Sequence, residues 1–216
     1  MPRNSTDTST KRQRIAELAK QDPQMVFTSL NHLLDLDLLR KAFYRTPKKK
    51  ASGIDGQTWA DYEVDLEANL QSLLERAKSG TYQAPPVRRV HIPKGSGSET
   101  RPIGIPTLED KVLQRAVVML LEPLYEPIFH KGSYGFRLGR SAHQALAQIR
   151  ENTMATNGGW ILDVDVRKFF DTLDHGGLRE LLRHRVCDGV LLTCRTRSIS
   201  WDSPITGPSL GKDAGW

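Results

Sequence analysis

The stretch from Trp160 to His175, WILDVDVRKFFDTLDH, restricts the fold of this 216-residue chain more than any other. Its apolar run from Trp160 to Val166 predicts a β-strand. Period-two geometry then puts Ile161, Asp163 and Asp165 on one face, and Leu162, Val164 and Val166 on the other. Two carboxylates on one face of an apolar strand are costly to bury unless they are paired or hold a cation. Asp163 and Asp165 therefore read either as a cation site or as the polar end of a strand. Phe169 and Phe170 follow, then Asp171 and Asp174, and Asp174 is placed to cap the next helix.

A chain of this length can form one large domain or two small ones around a real core. Its net charge of +6 favours a polyanionic partner. Cys187 and Cys194 have neither a CxxC spacing nor a histidine cluster beside them, so they read as free thiols of a reducing compartment. No apolar run has the length of a membrane span and no signal-peptide core opens the chain, so a cytoplasmic location with no membrane partner is expected.

Residues 1–14 are polar and without apolar period, which predicts disorder. A helical region runs from about Ile15 to Tyr44 with a break near Pro23, its apolar face carrying Val26, Leu30, Leu33, Leu34 and Leu38. Lys48, Lys49 and Lys50 follow, either a solvated charge run or a phosphate contact, and lead into the loop SGIDG. There Gly53 and Gly56 permit positive φ, and Asp55 can accept nearby backbone amides. A helix from about Trp59 to Lys78 presents Leu66, Leu70, Leu73, Leu74 and Ala77, and Gly80 stops it.

YQAPPVRRVHIPK and RPIGIP read as two strands of a hairpin that carries Arg88, Arg89, Lys94 and Arg101. It is either an exposed hairpin with solvated arginines or a flap whose cations grip phosphates. Thr107 caps a helix with Leu113, Ala116, Val117, Leu120 and Leu121 on one face, and Pro123 is expected to break it. The loop from Lys131 to Arg140 holds Gly135, Phe136, Arg137 and Arg140 and no acid, which suits backbone-plus-stacking contact with a nucleic acid, or an aromatic-anchored structural loop. Ser141 caps a further helix bearing Ala142, Ala145, Leu146 and Ile149, and Leu178, Leu181, Leu182 and Val186 mark the last one. No P-loop, dinucleotide fingerprint, HExxH or nucleophile elbow occurs, and the scattered histidines read as core or surface residues.

The succession SGIDG, YQAPPVRRVHIPK, RPIGIPTLEDKVLQRAV, SYGFRLGRSAHQAL and WILDVDVRKFFDTLDH resembles the bacterial group II intron reverse transcriptase/maturase family from about Leu38 to Leu192. The resemblance implies an α+β fold, a partial right-hand polymerase (fingers and incomplete palm) with a helical N-terminal extension. Residues 15–80 would be that extension with its basic loop, 81–192 the fingers and partial palm, and 193–216 an atypical tail, disordered or out of frame. It implies RNA-directed DNA synthesis with two Mg²⁺ ions about 3.5–4 Å apart. Asp165 would be the first catalytic aspartate and a metal ligand, with Val166 lending its backbone carbonyl. Phe170 would be the steric gate against a ribose 2′-OH, and Lys94 and Arg101 would hold the incoming triphosphate. Asp163 and Asp171 would be neighbours of the site. Gly135, Phe136, Arg137 and Arg140 would lie near the template, with Lys48, Lys49, Lys50, Arg88 and Arg89 as further nucleic-acid contacts.

The partners so implied are intron RNA, RNA template, DNA primer and dNTP. The family's TPQGG-like and YADD-type segments do not occur, and the residues after Leu192 do not match. The expectation is therefore a truncated or frameshifted reading frame, inactive alone as a polymerase. The alternatives are a non-catalytic intron-RNA-binding module and a non-functional truncated product.

Overall fold

The structure, a computed structural model, describes residues 5–93, 100–167, 169 and 172–192. Its elements in order are α1 (Ser5–Gln21), a 3-10 turn (Asn31–Leu33), α2 (Leu36–Tyr44), α3 (Trp59–Val64) and α4 (Leu66–Lys78). Strands β1 (Arg88–Pro93) and β2 (Thr100–Ile105) come next, then α5 (Leu108–Tyr125), a 3-10 turn (Glu126–Ile128), α6 (Ala142–Ala155) and α7 (His175–Arg183). Helices beside a small antiparallel sheet make this an α+β arrangement, as expected.

The fold is organised on α5. Thr107 caps it by accepting the Asp110 N–H, and Glu109 and Asp110 sit in its first turn where the helix dipole favours acids. Its apolar residues recur at helical spacing and bury Leu113, Ala116, Val117, Leu120 and Leu121 against α1 and α2, while α4 packs on α2. Each large side chain so buried contributes roughly 1.5–3 kcal/mol. One apolar cluster extends from Ala19 to Leu191, so the N-terminal helices and the later segments share a core. The chain closes on itself where Phe27 forms a parallel bridge with Val186.

Several elements differ from the sequence reading. Of the stretch 1–14 expected to be disordered, the described part from Ser5 onward is helical, as the start of α1; residues 1–4 lie outside the described residues. Ala19 is fully buried and Ile15 and Leu18 pack beside it, and once that turn is anchored, each further residue costs little to add. The single helix expected from Trp59 to Lys78 is broken at Asp65, whose φ of −115° and ψ of 38° leave the helical region. The break lets α3 lay Trp59 flat on Phe43, with ring centroids 4.5 Å apart, while α4 keeps its own buried face. Pro123 lies inside α5 and does not end it. The lost backbone hydrogen bond and the crowding of the proline ring, together typically about 3 kcal/mol, are opposed by the full burial of Leu124 one residue later.

The strand expected over residues 160–166 does not form. These residues lie outside any helix or strand, and Trp160, Leu162 and Val164 are exposed. A strand is held by ladder partners and side-chain cover, and among the described residues β1 and β2 pair only with each other. The preceding helix has the same character. α6 is started by the Ser141–Gln144 capping box, yet it buries no residue, and Leu146 and Ile149 face solvent.

Candidate nucleic-acid interface

The expected hairpin forms, and its register sets Arg88 opposite Ile105 and Ile92 opposite Arg101. Alternation along β1 half-buries Arg88, Val90 and Ile92 and exposes Arg89 and His91. Arg101 is exposed on β2. Lys94 falls outside the described residues.

The SGIDG loop is a built structure. Gly53 is buried against the start of α5, where an added Cβ would lie 2.5 Å from Thr107 Cα and 2.7 Å from its nitrogen. Only glycine permits that approach. Gly56 takes a positive φ of 69° and closes the turn by donating to Gly53 O at 3.3 Å. Asp55 accepts the Gln57 N–H at 3.2 Å, the local role expected of it. Two cations clamp the loop: Arg88 Nε donates to Ser52 O at 3.1 Å and Lys111 Nζ donates to Ala51 O at 2.8 Å. Lys111 escaped the sequence reading. A lysine in the first turns of a capped helix carries no signal of its own, and only packing brings it to the loop.

Lys48, Lys49 and Lys50 are exposed at the end of the basic run, and Lys48 Nζ sits 4.1 Å from the Trp59 ring centroid, a cation–π contact. A polar network joins the first turns of α5 to its neighbours. The Tyr82 hydroxyl donates to Asp110 Oδ1 at 3.1 Å, Gln114 donates to Asp110 Oδ2 at 2.8 Å, and Arg76 pairs with Glu109 at 2.6 Å. Burial and then the Asp110 charge push the Tyr82 phenol up, so it stays a neutral donor.

In the 131–140 loop the structure assigns different work to neighbouring residues. Arg137 turns inward. It grips both Glu126 carboxylate oxygens, donates to Ser133 O at 2.7 Å and His130 O at 3.1 Å, and lies over the Phe129 ring. That hydrogen bonding, with the Arg137 charge, holds the Glu126 carboxyl below its usual range. Phe136 adopts a left-handed φ of 56° and projects fully into solvent. Such backbone costs on the order of 1–3 kcal/mol, and the adjacent Arg137 bonds offset it. Phe136 borders a groove of about 290 Å³ with Val118, Tyr125 and Phe129. Arg140 is exposed above Tyr134, and Gly135 is exposed beside them.

Asp163 and Asp165 are exposed, and so is Val166. Phe170 and Asp171 fall outside the described residues, as does Cys194. Asp174 behaves as expected: its carboxylate accepts the Gly176 and Gly177 amides at 3.0 and 2.8 Å and caps α7. Among the described residues no cluster of three metal-binding side chains occurs, and no helix is long and apolar enough to cross a membrane.

Residues 92–203 match the family described as reverse transcriptase (RNA-dependent DNA polymerase). Protein YkfC of Escherichia coli K12 is 35% identical over 193 residues, which cover 86% of this chain and 50% of that protein. The group II intron-encoded protein LtrA of Lactococcus lactis is 33% identical over 82% of this chain and 29% of its own length. A 91 kDa protein in a cob intron of Schizosaccharomyces pombe is 31% identical over 72% of this chain and 19% of its own length. The chain thus spans half or less of the length of the relatives it matches.

Proposed function

The chain belongs to the reverse transcriptase family of group II intron-encoded proteins, and from that premise we propose that it holds RNA on its basic hairpin and loops and contributes the first metal-binding carboxylate, Asp165, to RNA-directed DNA synthesis. The observation that carries the first half is the exposure of Arg89, Arg101, Lys48, Lys49 and Arg140 around segments clamped by inward-turned cations. Exposed arginines and lysines on a rigid frame suit phosphate contacts, and Phe136 offers a face for base stacking.

For the second half, Mg²⁺ is held by hard carboxylate oxygens with water and substrate phosphates. The exposed Asp165 carboxylate and the adjacent Val166 carbonyl fit that donor set. A Mg²⁺ held there would supply activation of a primer hydroxyl and support for a leaving pyrophosphate. Arg101 and Lys94 would steady the charge on the triphosphate, and Phe170 would exclude a ribose 2′-OH. RNA template, DNA primer and dNTP are the substrates of this reading.

The sequence contains no adjacent pair of aspartates to complete a two-metal site. A non-catalytic RNA-binding role is therefore the second reading for the 216-residue chain alone. Filter binding to RNA across a salt series, run beside primer extension on an RNA template with Mg²⁺, tests both. Binding with a steep salt slope and no extension is expected. Absence of binding overturns the RNA-holding role, and robust extension abolished by Asp165→Ala overturns the non-catalytic reading while supporting Asp165 as ligand.

A further inference from the structure

Residues 51–56 gather more positive charge than holding the loop requires. Gly53 seats the loop on the Thr107 backbone, and this turns two successive carbonyls toward cations from elsewhere in the chain. Ala51 O accepts Lys111 Nζ at 2.8 Å and Ser52 O accepts Arg88 Nε at 3.1 Å. The two bonds end on adjacent residues of the loop, and the Arg88 charge acts on Lys111, so both cationic groups belong to one cluster. Lys50 stands close enough to act on Lys111 as well, and Asp55 is the opposing charge beside it. Burial lowers the Lys111 ammonium below its ordinary value, Asp55 works against that, and the Arg88 and Lys50 charges lower it further. The cluster therefore carries more positive charge than one carboxylate balances. The Arg88 Nη groups and the remaining Lys111 ammonium protons meet no other acceptor among the described residues.

We propose that Lys111, with Arg88 and Lys50, forms a binding site for one backbone phosphodiester of a nucleic-acid strand. The inference rests on the RNA-holding role above and gives it a defined place and a residue not otherwise assigned. A guanidinium fork and an ammonium offer donors to several phosphate oxygens at once. Their anchoring on loop carbonyls holds them in position before the strand arrives. The exposed Lys48 and Lys49 directly precede Lys50 in the chain and extend its positive charge, which a strand can use and an isolated small anion cannot.

The test is fluorescence anisotropy with a labelled 12-nucleotide single-stranded RNA, and with DNA of the same sequence, from 50 to 300 mM NaCl. Lys111→Gln removes the charge and keeps an N–H donor for Ala51 O, whereas Lys111→Arg keeps both. Lys111→Gln is expected to reduce the slope of log affinity against log salt by about 0.7, the value for one lost single-strand phosphate contact, and equally on RNA and DNA. Lys111→Arg restores the slope. A Lys111→Gln slope equal to wild type overturns the site and leaves the RNA-holding role intact. An effect on RNA alone overturns its assignment as a phosphodiester site. A wild-type chain that binds neither strand overturns both. A purely structural role would move the circular-dichroism melting midpoint of Lys111→Gln without moving the salt slope, and that result also counts against the proposal.

Discussion

Asp188 Oδ2 accepts the backbone N–H of Leu30 at 2.8 Å, joining segments 158 residues apart. The same oxygen accepts Asn31 N–H at 2.7 Å, while Oδ1 accepts the amides of Val190 and Leu191 at 3.1 and 3.2 Å. Arg185 donates to Pro23 O close by, and Phe27 and Val186 complete the seam. One buried carboxylate thus caps two separate turns and fastens the C-terminal part of the described chain to its beginning.

Asp188→Ala should therefore be costly, because it strips four backbone amides, two in buried and two in part-buried bonds, of a charged acceptor. A loss of about 3 kcal/mol is expected from the usual worth of such bonds. Thermal unfolding would show it as a midpoint lower by roughly 6–12 °C. A midpoint within a degree of wild type would show that the seam adds nothing.

Gly53→Ala and Gly56→Ala separate two reasons for glycine. At Gly53 a methyl group would meet the Thr107 backbone, which cannot rotate away, so roughly 1–3 kcal/mol of overpacking is expected. At Gly56 nothing lies within 4 Å and only the positive φ opposes alanine, at about 1 kcal/mol. Urea denaturation should rank Gly53→Ala as the more damaging. The reverse order would contradict the close approach.

Acid should loosen the 131–140 loop and α7 together. The hydrogen bond from Arg137 depresses Glu126 below its ordinary 4.5, and the Gly177 and Gly176 amides depress Asp174 below its ordinary 3.8. Because the folded values lie below the unfolded ones, both contributions are complete above those ordinary values. They vanish as pH falls through the lower folded ones. The melting midpoint should hold down to about pH 5 and fall below about pH 4. Glu126→Gln combined with Asp174→Asn should flatten that acid limb, and an unchanged limb would remove these carboxylates as its cause.

Leu146→Glu on α6 should change stability by less than about 0.5 kcal/mol, because the side chain is already exposed. Leu70→Ala on α4 should cost about 2–5 kcal/mol, since that side chain is fully buried. Chemical denaturation of both variants checks the contrast. A large loss from Leu146→Glu would mean that α6 packs in solution.

Amphipathic period was enough to find α4 and α5, whose buried faces are those read from spacing. Capping chemistry was legible too, at Thr107, Ser141 and Asp174. Each of these depends on neighbours a turn away along the chain. The site was legible in part: the cations of the hairpin were visible as residue types, but not which of them face solvent. Arg137 and Arg101 look alike in sequence, yet one is wrapped around Glu126 and the other is exposed. Asp188 resembled any turn aspartate.

What the sequence determined alone was local: helix faces, caps, the SGIDG turn, the hairpin and the ordered blocks that mark the family. What only tertiary structure decided was long-range. It set Lys111 on Ala51 O, Asp188 on Leu30 N and Gly53 on Thr107, and it left residues 160–166 without a ladder. The physical reason is one of range. Caps and periodic faces are specified by residues within a turn of each other, whereas a clamp or a strand exists only when distant segments are brought alongside it.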